Sequence, residues 1–285
     1  MEKTGLMING LPGNVALTIA EHVLKDERFT LVPYSLTGPE ITDKTIKING
    51  FEFTLIKPDA RDIIETVKSE SGRFYTIDFT HPSSVNLNAQ FYIENQLPFV
   101  MGTTGGDREK LKKDIEKGDT LAVIAPNMAK QIVGFQAMME YAADTFPDLF
   151  KGFTLEIKES HQKGKADTSG TAKAMVKYFN RLGLNFSNKD IQKERDPDIQ
   201  KNVWKIPEKH LKGHGFHTYT LTSPDKTCRF KFEHNICGRD IYVSGSLDAV
   251  LFLHEKCTSN GQHNTNFFTM IDVLKHGRNT DINGS

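Results

Sequence analysis

Short runs of β-forming residues alternate with helical patterns through the first half of this chain. An apolar run at 6–8 is followed by runs at 31–34, 53–56, 74–79, 99–101 and 121–124. Between them, apolar residues recur at helical spacing, as Val15, Ile19 and Val23 do. Strands separated by helices of this length form βαβ units, which require a parallel sheet covered on both faces. The pattern therefore predicts an α/β protein with an N-terminal Rossmann-like parallel sheet.

The pattern changes after residue 128. A helical pattern over 130–146 precedes strand patterns at 153–157, 217–221, 230–234 and 241–243, and the chain turns helical again from 247. We expect a dinucleotide-binding domain at 1–128, onto which residues 247–285 fold back. Residues 129–246 should form a second α+β domain that binds substrate and supports oligomerisation.

Composition excludes several classes of protein. Among 285 residues, 36 are Lys or Arg and 36 are Asp or Glu, so the formal charge is zero. This balance gives no electrostatic footprint for nucleic acid or a membrane surface, and no apolar run reaches the ~18–20 residues of a membrane span. Three cysteines without a CxxC pair indicate reduced thiols. The early first strand leaves no room for a targeting peptide, so we expect a cytoplasmic protein. If the source is photosynthetic and a transit peptide was removed, we expect the plastid stroma.

A glycine motif follows the first strand and opens the first helix. It reads GxxGxxA, with Gly10, Gly13 and Ala16 at the fixed positions. In such a loop the first glycine permits a tight turn, the second lets the backbone approach a pyrophosphate, and the small third residue allows close packing. The sequence predicts a dinucleotide site here, and a plain turn is the alternative. The predicted contacts are Gly10, Leu11, Pro12, Gly13, Asn14 and Val15.

The end of the second strand bears on the choice of nucleotide. NAD sites usually carry Asp or Glu there, to hold the ribose 2′-hydroxyl. This segment has Ser35 and Thr37 and no acid before Glu40. A 2′-phosphate would not be repelled, so the sequence favours NADPH, with NADH open as the alternative. Two ordinary turn hydroxyls would give the same pattern.

Two further strand ends carry small or hydroxyl-bearing residues. Phe79 and Thr80 follow one strand, and Gly102, Thr103 and Thr104 follow the next. Ligands of open parallel sheets bind outside the carboxyl ends of the strands. These loops could therefore flank a nicotinamide, although each could also be an ordinary turn.

A basic segment at 156–172 leaves a strand, crosses a polar loop and enters a helix. Ser169 or Thr168 is the natural N-cap, and the amides of Gly170 and Thr171 could bind a carboxylate. Five lysines against two acids between residues 158 and 177 suit an anionic small molecule. His161 can titrate near neutrality and Lys165 can donate a proton. The alternative is a solvated loop with a capping serine.

These motifs together resemble the dihydrodipicolinate reductase family of lysine and diaminopimelate biosynthesis. The resemblance covers nearly the whole chain in order, and it is similar in particular to the plant-type branch. Its most specific motif is Glu159-x-His161-x-x-x-Lys165-x-Asp167-x-Ser169-Gly170-Thr171-Ala172. The supporting segments are Gly10-x-x-Gly13, Asp78-Phe79-Thr80, Gly102-Thr103-Thr104-Gly105, Ala125-Pro126-Asn127-Met128, Gly213-His214-x-Phe216-His217 and His234-Asn235-x-Cys237-Gly238-Arg239.

The resemblance implies roles for particular residues. The loop 10–15 would bind the nucleotide, and Gly102, Thr103, Thr104, Ala125, Pro126, Asn127 and Met128 would line its nicotinamide and ribose. His161 and Lys165 would form the acid/base pair. The residues Gln162, Ser169, Gly170, Thr171 and Thr104 would contact the substrate.

The resemblance also implies a reaction, an NAD(P)H-dependent reduction of the cyclic imine formed from 4-hydroxy-tetrahydrodipicolinate. Hydride adds to ring carbon 4, a proton adds to the neighbouring carbon, and the product is tetrahydrodipicolinate. The family is oligomeric, so we expect a homo-oligomer, either a dimer or a tetramer.

The chain departs from the bacterial members of that family in two ways. Gln162 stands where they carry a second histidine, and the loop before Ser169 is one residue shorter; plant-type members share both features. His214 and His217 lie three apart on a strand and should face opposite sides, so no metal site is expected. Two alternatives remain, a non-catalytic reductase-like scaffold and an NAD(P)-dependent reductase of another cyclic imine.

Overall fold

The computed structural model describes residues 3–259 and 264–282, and the chain divides into two compact units. The first comprises Met1–Val133 with Asp240–Ser285, and the second comprises Gly134–Arg239. The predicted boundaries lay at 128 and 246, and the second of these falls inside a helix. The strand expected at 241–243 is wrong, because Val243, Leu247 and Val250 share the buried face of that helix. The functional roles of the two parts stay predictions.

The elements follow in chain order. The first unit contains β1 (Thr4–Asn9), α1 (Asn14–Val23), β2 (Phe29–Leu31), β3 (Tyr34–Leu36), β4 (Thr45–Ile48), β5 (Phe51–Ile56), α2 (Ile64–Ser71), β6 (Phe74–Asp78), α3 (Val85–Glu94), β7 (Phe99–Met101), α4 (Arg108–Lys117) and β8 (Ala122–Ile124). Helix α5 (Lys130–Thr145) spans the boundary. The second unit continues with β9 (Thr154–His161), α6 (Gly170–Arg181), β10 (Gln192–Glu194), α7 (Pro197–Asn202), β11 (His214–Thr222) and β12 (Arg229–Cys237). The chain returns to the first unit with α8 (Ile241–Thr258), β13 (Phe267–Phe268) and α9 (Met270–Ile282).

A six-stranded parallel sheet forms the centre of the first unit, in the order β13-β8-β7-β6-β1-β2. Its register aligns the strand ends, since Asn9 pairs with Asp78, Asp78 with Met101, and Met101 with Ile124. The loops after β1, β6, β7 and β8 therefore leave from the same edge. Chain order reverses at β1, which is where open α/β sheets bind ligands. The predicted Rossmann-like fold is confirmed.

A smaller sheet adjoins this one, in the order β3-β5-β4. The single strand expected at 31–34 is wrong, because β2 ends at Leu31 and β3 begins at Tyr34. Pro33 lies between them, and proline has no N–H to continue a ladder. The Pro33 carbonyl instead accepts a hydrogen bond from the Thr54 amide, at 2.9 Å, at the start of the pairing between β3 and β5.

Both faces of the six-stranded sheet are covered, as the apolar strands require. Leu6 and Ile8 face a core that includes residues of α1 and α8, whereas Met7 faces a core that includes residues of α3 and α4. No helix among the described residues has an apolar stretch long enough to cross a bilayer.

The second unit is built on a four-stranded sheet in the order β10-β9-β11-β12. Strand β9 is antiparallel to β11 and parallel to β10, and β11 is antiparallel to β12. Residues of α5 and α6 pack on one face, where Met139, Met175 and Phe179 join Ile157 and Tyr219 in a buried cluster. The unit is the α+β structure that its sequence predicts.

Replacing Phe179 by alanine should destabilise the second unit. The ring is 0% exposed and lies 5.6 Å from Tyr219 and 6.2 Å from Phe232, centroid to centroid. We expect Phe179→Ala to lower the free energy of unfolding by about 3–5 kcal/mol, the range for such cavities. Urea unfolding followed by circular dichroism measures it, with Val203→Ala, at a position 70% exposed, as control. Equal midpoints for the two variants would contradict this packing.

Candidate active site

The two glycines of the loop after β1 are required by backbone geometry. Gly10 has φ +107°, and a Cβ there would overlap the carbonyl of Phe79. A Cβ on Gly13 would lie 2.7 Å from the Gly10 carbonyl oxygen, which accepts the Gly13 amide hydrogen bond at 2.7 Å. The turn is therefore closed tightly against β6, as a loop that approaches a pyrophosphate must be.

The start of α1 offers free amides above this turn. Gly13 is the N-cap and supplies no side-chain hydrogen bond, and it is exposed together with Asn14. The first amides of a helix have no acceptor within it, so those of Asn14 and Val15 are available to an anion. Leu11 is fully buried and anchors the loop from below, while Pro12 is half-buried. These features fit the diphosphate of a dinucleotide.

Ser35 and Thr37 hold this loop in place. They are 0% and 4% exposed. The Leu11 amide donates to Ser35 Oγ at 3.3 Å, and Thr37 Oγ1 donates to the Leu11 carbonyl at 2.7 Å. Glu40, the first acid after β3, turns its carboxylate against Gly38. The two hydroxyls thus act on the glycine loop, which agrees with their interpretation as turn hydroxyls.

Asp78 joins the ends of neighbouring strands. It is fully buried, and its Oδ1 accepts hydrogen bonds from the Thr80 amide at 3.0 Å, the Thr80 hydroxyl at 2.8 Å and the Thr103 hydroxyl at 2.6 Å. Its Oδ2 accepts from Asn88 at 2.9 Å and from Tyr92 at 2.7 Å. Burial raises the pKa of Tyr92 well above its ordinary value, so the phenol stays a donor. The predicted contacts Thr80 and Thr103 are thereby fixed.

The loops after β7 and β8 lie along the same edge. A Cβ on Gly102 would overlap the ring of Phe79, which is half-buried over it, and Thr104 is exposed. After β8, Ala125 and Met128 are buried while Pro126 is exposed and Asn127 is half-buried. The Asn127 side-chain oxygen accepts the Ala129 amide at 2.9 Å. The structure therefore brings the predicted cofactor residues of four loops to one sheet edge.

In the second unit, strand β9 ends at His161, whose ring is held in place by a hydrogen bond from one of its nitrogens. Nδ1 donates to the carbonyl of His214 at 3.0 Å, so the neutral ring carries its lone pair on Nε2. Among the described residues Nε2 has no hydrogen-bond partner, and it lies 3.9 Å from Glu159 Oε2. Burial lowers the pKa of His161, and the Glu159 carboxylate opposes that shift. Such a ring can accept or return a proton at Nε2.

Two residues that sequence reasoning did not select lie beside His161. Glu159 is 0% exposed, and its Oε1 accepts from Arg195 Nη2 at 2.5 Å. Arg195 Nε also donates to the Lys165 carbonyl at 2.8 Å, and Nη2 donates to the Asp167 carbonyl at 3.4 Å. Glu159 stands inside the basic motif and could have been selected there. Arg195 lies beyond α6 and has no local signal.

Ser169, and not Thr168, caps α6. Its Oγ accepts the Ala172 amide at 3.1 Å and lies 2.9 Å from His217 Nε2, while its own amide donates to Glu159 Oε2 at 3.1 Å. Both polar groups of Ser169 are therefore engaged inside the protein. The next two amides, those of exposed Gly170 and half-buried Thr171, have no acceptor within the helix. Open amides at the start of a helix can bind an anion.

Lys165 lies in the loop between β9 and α6. Its Nζ is 3.1 Å from Asp167 Oδ1, and its side chain is 25% exposed. The Lys165 amide closes a turn onto the carbonyl of Gln162, which is half-buried, at 2.9 Å. Gln200 Nε2 donates to the His161 carbonyl at 2.7 Å and holds the end of β9. His161, Lys165 and the start of α6 thus belong to one braced segment.

Three histidines of neighbouring strands lie side by side. His217 pairs with Glu159 across the sheet, its ring lies 5.1 Å from that of His161, and it stacks on His234 at 4.6 Å. Burial lowers the pKa of His217 well below its ordinary value and that of His234 to about 4, so both rings are neutral. Strand β11 thus places a second imidazole, that of His217, beside His161. His214 bonds Ser160 instead, at 2.9 Å, as the opposite-face argument predicts.

Glu159, His161 and His217 place three donor atoms within 4.8 Å of one another, which is compact enough to raise the question of a metal ion. Both oxygens of the carboxylate already accept hydrogen bonds, from Arg195 and from the Ser169 amide. His217 Nε2 is engaged with Ser169 Oγ. The group is therefore a hydrogen-bonded cluster, and we do not assign it to a metal.

Comparison with known proteins identifies the family. The model of the dihydrodipicolinate reductase N-terminus matches residues 4–128, and that of the C-terminus matches residues 132–274. A probable 4-hydroxy-tetrahydrodipicolinate reductase 2, chloroplastic, of Oryza sativa subsp. japonica is 44% identical over 95% of this chain and 83% of its own length. The 4-hydroxy-tetrahydrodipicolinate reductase 2, chloroplastic, of Arabidopsis thaliana is 42% identical over 95% and 77%.

A solved structure shares the fold. The dipicolinate-bound dihydrodipicolinate reductase from Paenisporosarcina sp. TG-14 superposes with a TM-score of 0.63 at 19% identity, over 89% of this chain and 96% of its own. The family models span both units and the rice and Arabidopsis relatives cover nearly the whole sequence. This chain belongs to the dihydrodipicolinate reductase family.

Proposed function

We propose that this chain catalyses the NAD(P)H-dependent reduction of the cyclic imine formed from 4-hydroxy-tetrahydrodipicolinate, giving tetrahydrodipicolinate. The observation that carries the proposal is the braced segment from His161 to Thr171. Within eleven residues it presents an imidazole nitrogen that has no hydrogen-bond partner among the described residues, an ammonium group and two open helix amides. The relatives named for this reaction support the choice of substrate.

A dicarboxylate substrate suits the start of α6. The amides of Gly170 and Thr171 lie at the positive end of a twelve-residue helix, where a carboxylate is stabilised. Ser169 supports this site from inside, because its amide and hydroxyl are both engaged. Gln162, a predicted substrate contact in the same unit, can add a hydrogen bond to a carboxylate.

The proton required by the reaction comes from His161 or Lys165. Addition of hydride to ring carbon 4 leaves an electron-rich enamine, which must be protonated at the neighbouring carbon. The Lys165 ammonium can donate directly, and His161 can donate from Nε2 when it is protonated. Either group would recover its proton from solvent.

The nicotinamide nucleotide, when bound, supplies the hydride. Residues of this chain would hold it at the sheet edge of the first unit: the loop 10–15 at the diphosphate, and the loops at 79–80, 102–104 and 125–128 around the ribose and nicotinamide. The open amides of α1 and the two constrained glycines support this placement.

Removing the Lys165 ammonium should slow the reaction strongly. We expect Lys165→Ala to lower kcat by at least ~10²-fold, the low end for loss of a general acid. Stopped-flow or steady-state oxidation of NADPH, with the cyclic imine supplied by a coupled synthase, measures it. Lys163→Ala, an exposed lysine in the same loop, is the matched control and should keep kcat. An unchanged rate for Lys165→Ala would remove Lys165 from the mechanism.

Turnover of other cyclic imines or keto acids at a higher rate would favour a different reductase.

We also propose that NADPH is preferred over NADH. Strand β3 carries Ser35 and no carboxylate, and the first acid, Glu40, is turned against Gly38. A 2′-phosphate therefore meets no negative side chain on the strand itself. Fluorescence titration should give a Kd for NADPH at least about tenfold lower than that for NADH. Comparable Kd values would overturn the preference.

A homo-oligomer is the third part of the proposal, either a dimer or a tetramer. In the described residues the nine-residue strand β12 pairs on one side only, so it lies at a sheet edge. Large apolar side chains on and after α5 are also exposed, among them Met138, Tyr141 and Leu149. Such surface commonly marks an interface. Light scattering at working concentration should give at least twice the mass of one chain, and a monomeric mass would contradict it.

The compartment follows from the source. We propose the plastid stroma for a photosynthetic source, as for the relatives named chloroplastic, and the cytoplasm otherwise.

A further inference from the structure

We propose that Glu159 and Arg195 are a positioning pair that holds the His161 imidazole, the Lys165 loop and the start of α6 in one working arrangement. The inference rests on the proposed function, since it concerns the groups that would handle the proton and the substrate carboxylate.

Glu159 connects two parts of the site through its two oxygens. Oε2 accepts the Ser169 amide at 3.1 Å and faces the His161 Nε2 at 3.9 Å, whereas Oε1 accepts Arg195 Nη2 at 2.5 Å. The carboxylate is completely buried, at 0% exposure. A buried charge persists only where it is paired and hydrogen-bonded. Movement of Glu159 would therefore disturb the N-cap and the imidazole together.

Arg195 fixes the loop that carries Lys165. Besides Glu159, its guanidinium donates to the carbonyls of Lys165 at 2.8 Å, Glu194 at 2.9 Å and Asp167 at 3.4 Å. Three guanidinium nitrogens thus donate hydrogen bonds to strand β10, to the loop and to the Glu159 carboxylate. This needs the planar fork of arginine, because a lysine ammonium presents a single point of attachment. The loop backbone is consequently tied to the same carboxylate that faces His161.

The charges around His161 give Glu159 a second effect. The groups that face the imidazole are Glu159 on its own strand, Lys165 in the loop, Arg195 after β10, His217 on β11 and His234 on β12. Among these described groups, Glu159 alone is negative. Its removal leaves the ring facing cations and neutral imidazoles, which disfavour the protonated form. The pKa of His161, already lowered by burial, should fall further.

Glu159→Gln tests the pair because it removes the charge and keeps the shape. In the pH–activity profile, the fall in activity that reports deprotonation of His161 should move to lower pH. At pH values above that fall, kcat should decrease about tenfold for each pH unit of movement. The ring resonances of His161, followed by NMR in histidine-labelled protein, should titrate at lower pH as well. Glu156→Gln, an exposed residue of the same strand that pairs with Lys158, should change neither measurement.

Arg195→Lys tests the loop separately, since it keeps the positive charge. We expect kcat to fall by about 10²-fold, as for a misplacement of about 1 Å in a catalytic group, with a smaller change in the His161 titration than in Glu159→Gln. Glu159→Asp should recover part of the activity and most of the normal titration. Variants are compared only where circular dichroism shows native secondary structure.

Two outcomes would overturn the pair. Glu159 has no positioning role if Glu159→Gln folds, keeps the wild-type kcat and leaves the titration of His161 unchanged. Arg195 has none if Arg195→Lys keeps full activity. If Glu159→Gln does not fold, the double variant Glu159→Gln/Arg195→Gln avoids an unpaired charge, and wild-type kcat in it would equally contradict the proposal. Failure of the wild type to reduce the imine would reject the proposed function alone, since the titration of His161 needs no turnover.

Discussion

The buried carboxylate of Glu159 is the constraint on which the second unit depends. It is taken out of water completely, so its charge must be balanced where it lies. Arg195 supplies that balance, and the Ser169 amide takes the other oxygen. The ion pair thereby fixes the end of β9, the following loop and the first turn of α6 relative to one another. A segment that would otherwise be a solvated loop becomes a braced site. The proposed chemistry at His161 and Lys165 relies on this bracing.

The first unit also contains a buried carboxylate, that of Asp78, and here neutral hydrogen-bond donors surround it. Asp78 accepts five hydrogen bonds from the loops and helix around it, and Asn9 continues the network to Tyr92 at 3.0 Å and to the Leu36 amide at 2.8 Å. Because the donors come from the loops after β6 and β7 and from α3, the network holds the ends of these two strands together. The glycine loop can then be tight and its amides open, since its neighbours are held independently of any ligand. The aspartate is therefore a structural centre of the sheet edge at which the glycine loop lies.

Local sequence patterns predicted most of the fold and those parts of the site that depend on neighbouring residues. Parallel strands that are buried on both faces leave continuous apolar runs, so the class of the sheet could be inferred. The run at 53–56 was expected in the same sheet, but it forms β5 of the separate sheet β3-β5-β4. The glycine loop was also found, and the cap of α6 was narrowed to Ser169 or Thr168, because both features depend on residues close in sequence. The errors arose where a short sequence pattern was compatible with two different secondary structures. Residues 241–243 alternate as a strand would, and they begin α8 because helical burial extends for several turns beyond them. Pro33 divides a run that looked continuous.

The remaining part of the site depends on pairing between distant strands. His217 was set aside because it should face the opposite side of the strand from His214, yet β11 places it directly opposite Glu159. Arg195 follows β10, which pairs with β9 and so brings its guanidinium to the same carboxylate. Neither contact has a spacing that a single sequence could reveal. Gln162 follows His161 directly and carries no imidazole, but an imidazole from another strand, that of His217, lies 5.1 Å from the His161 ring. In this chain the second imidazole is kept neutral by burial, so His161 is the one imidazole of that pair placed to exchange a proton near neutral pH.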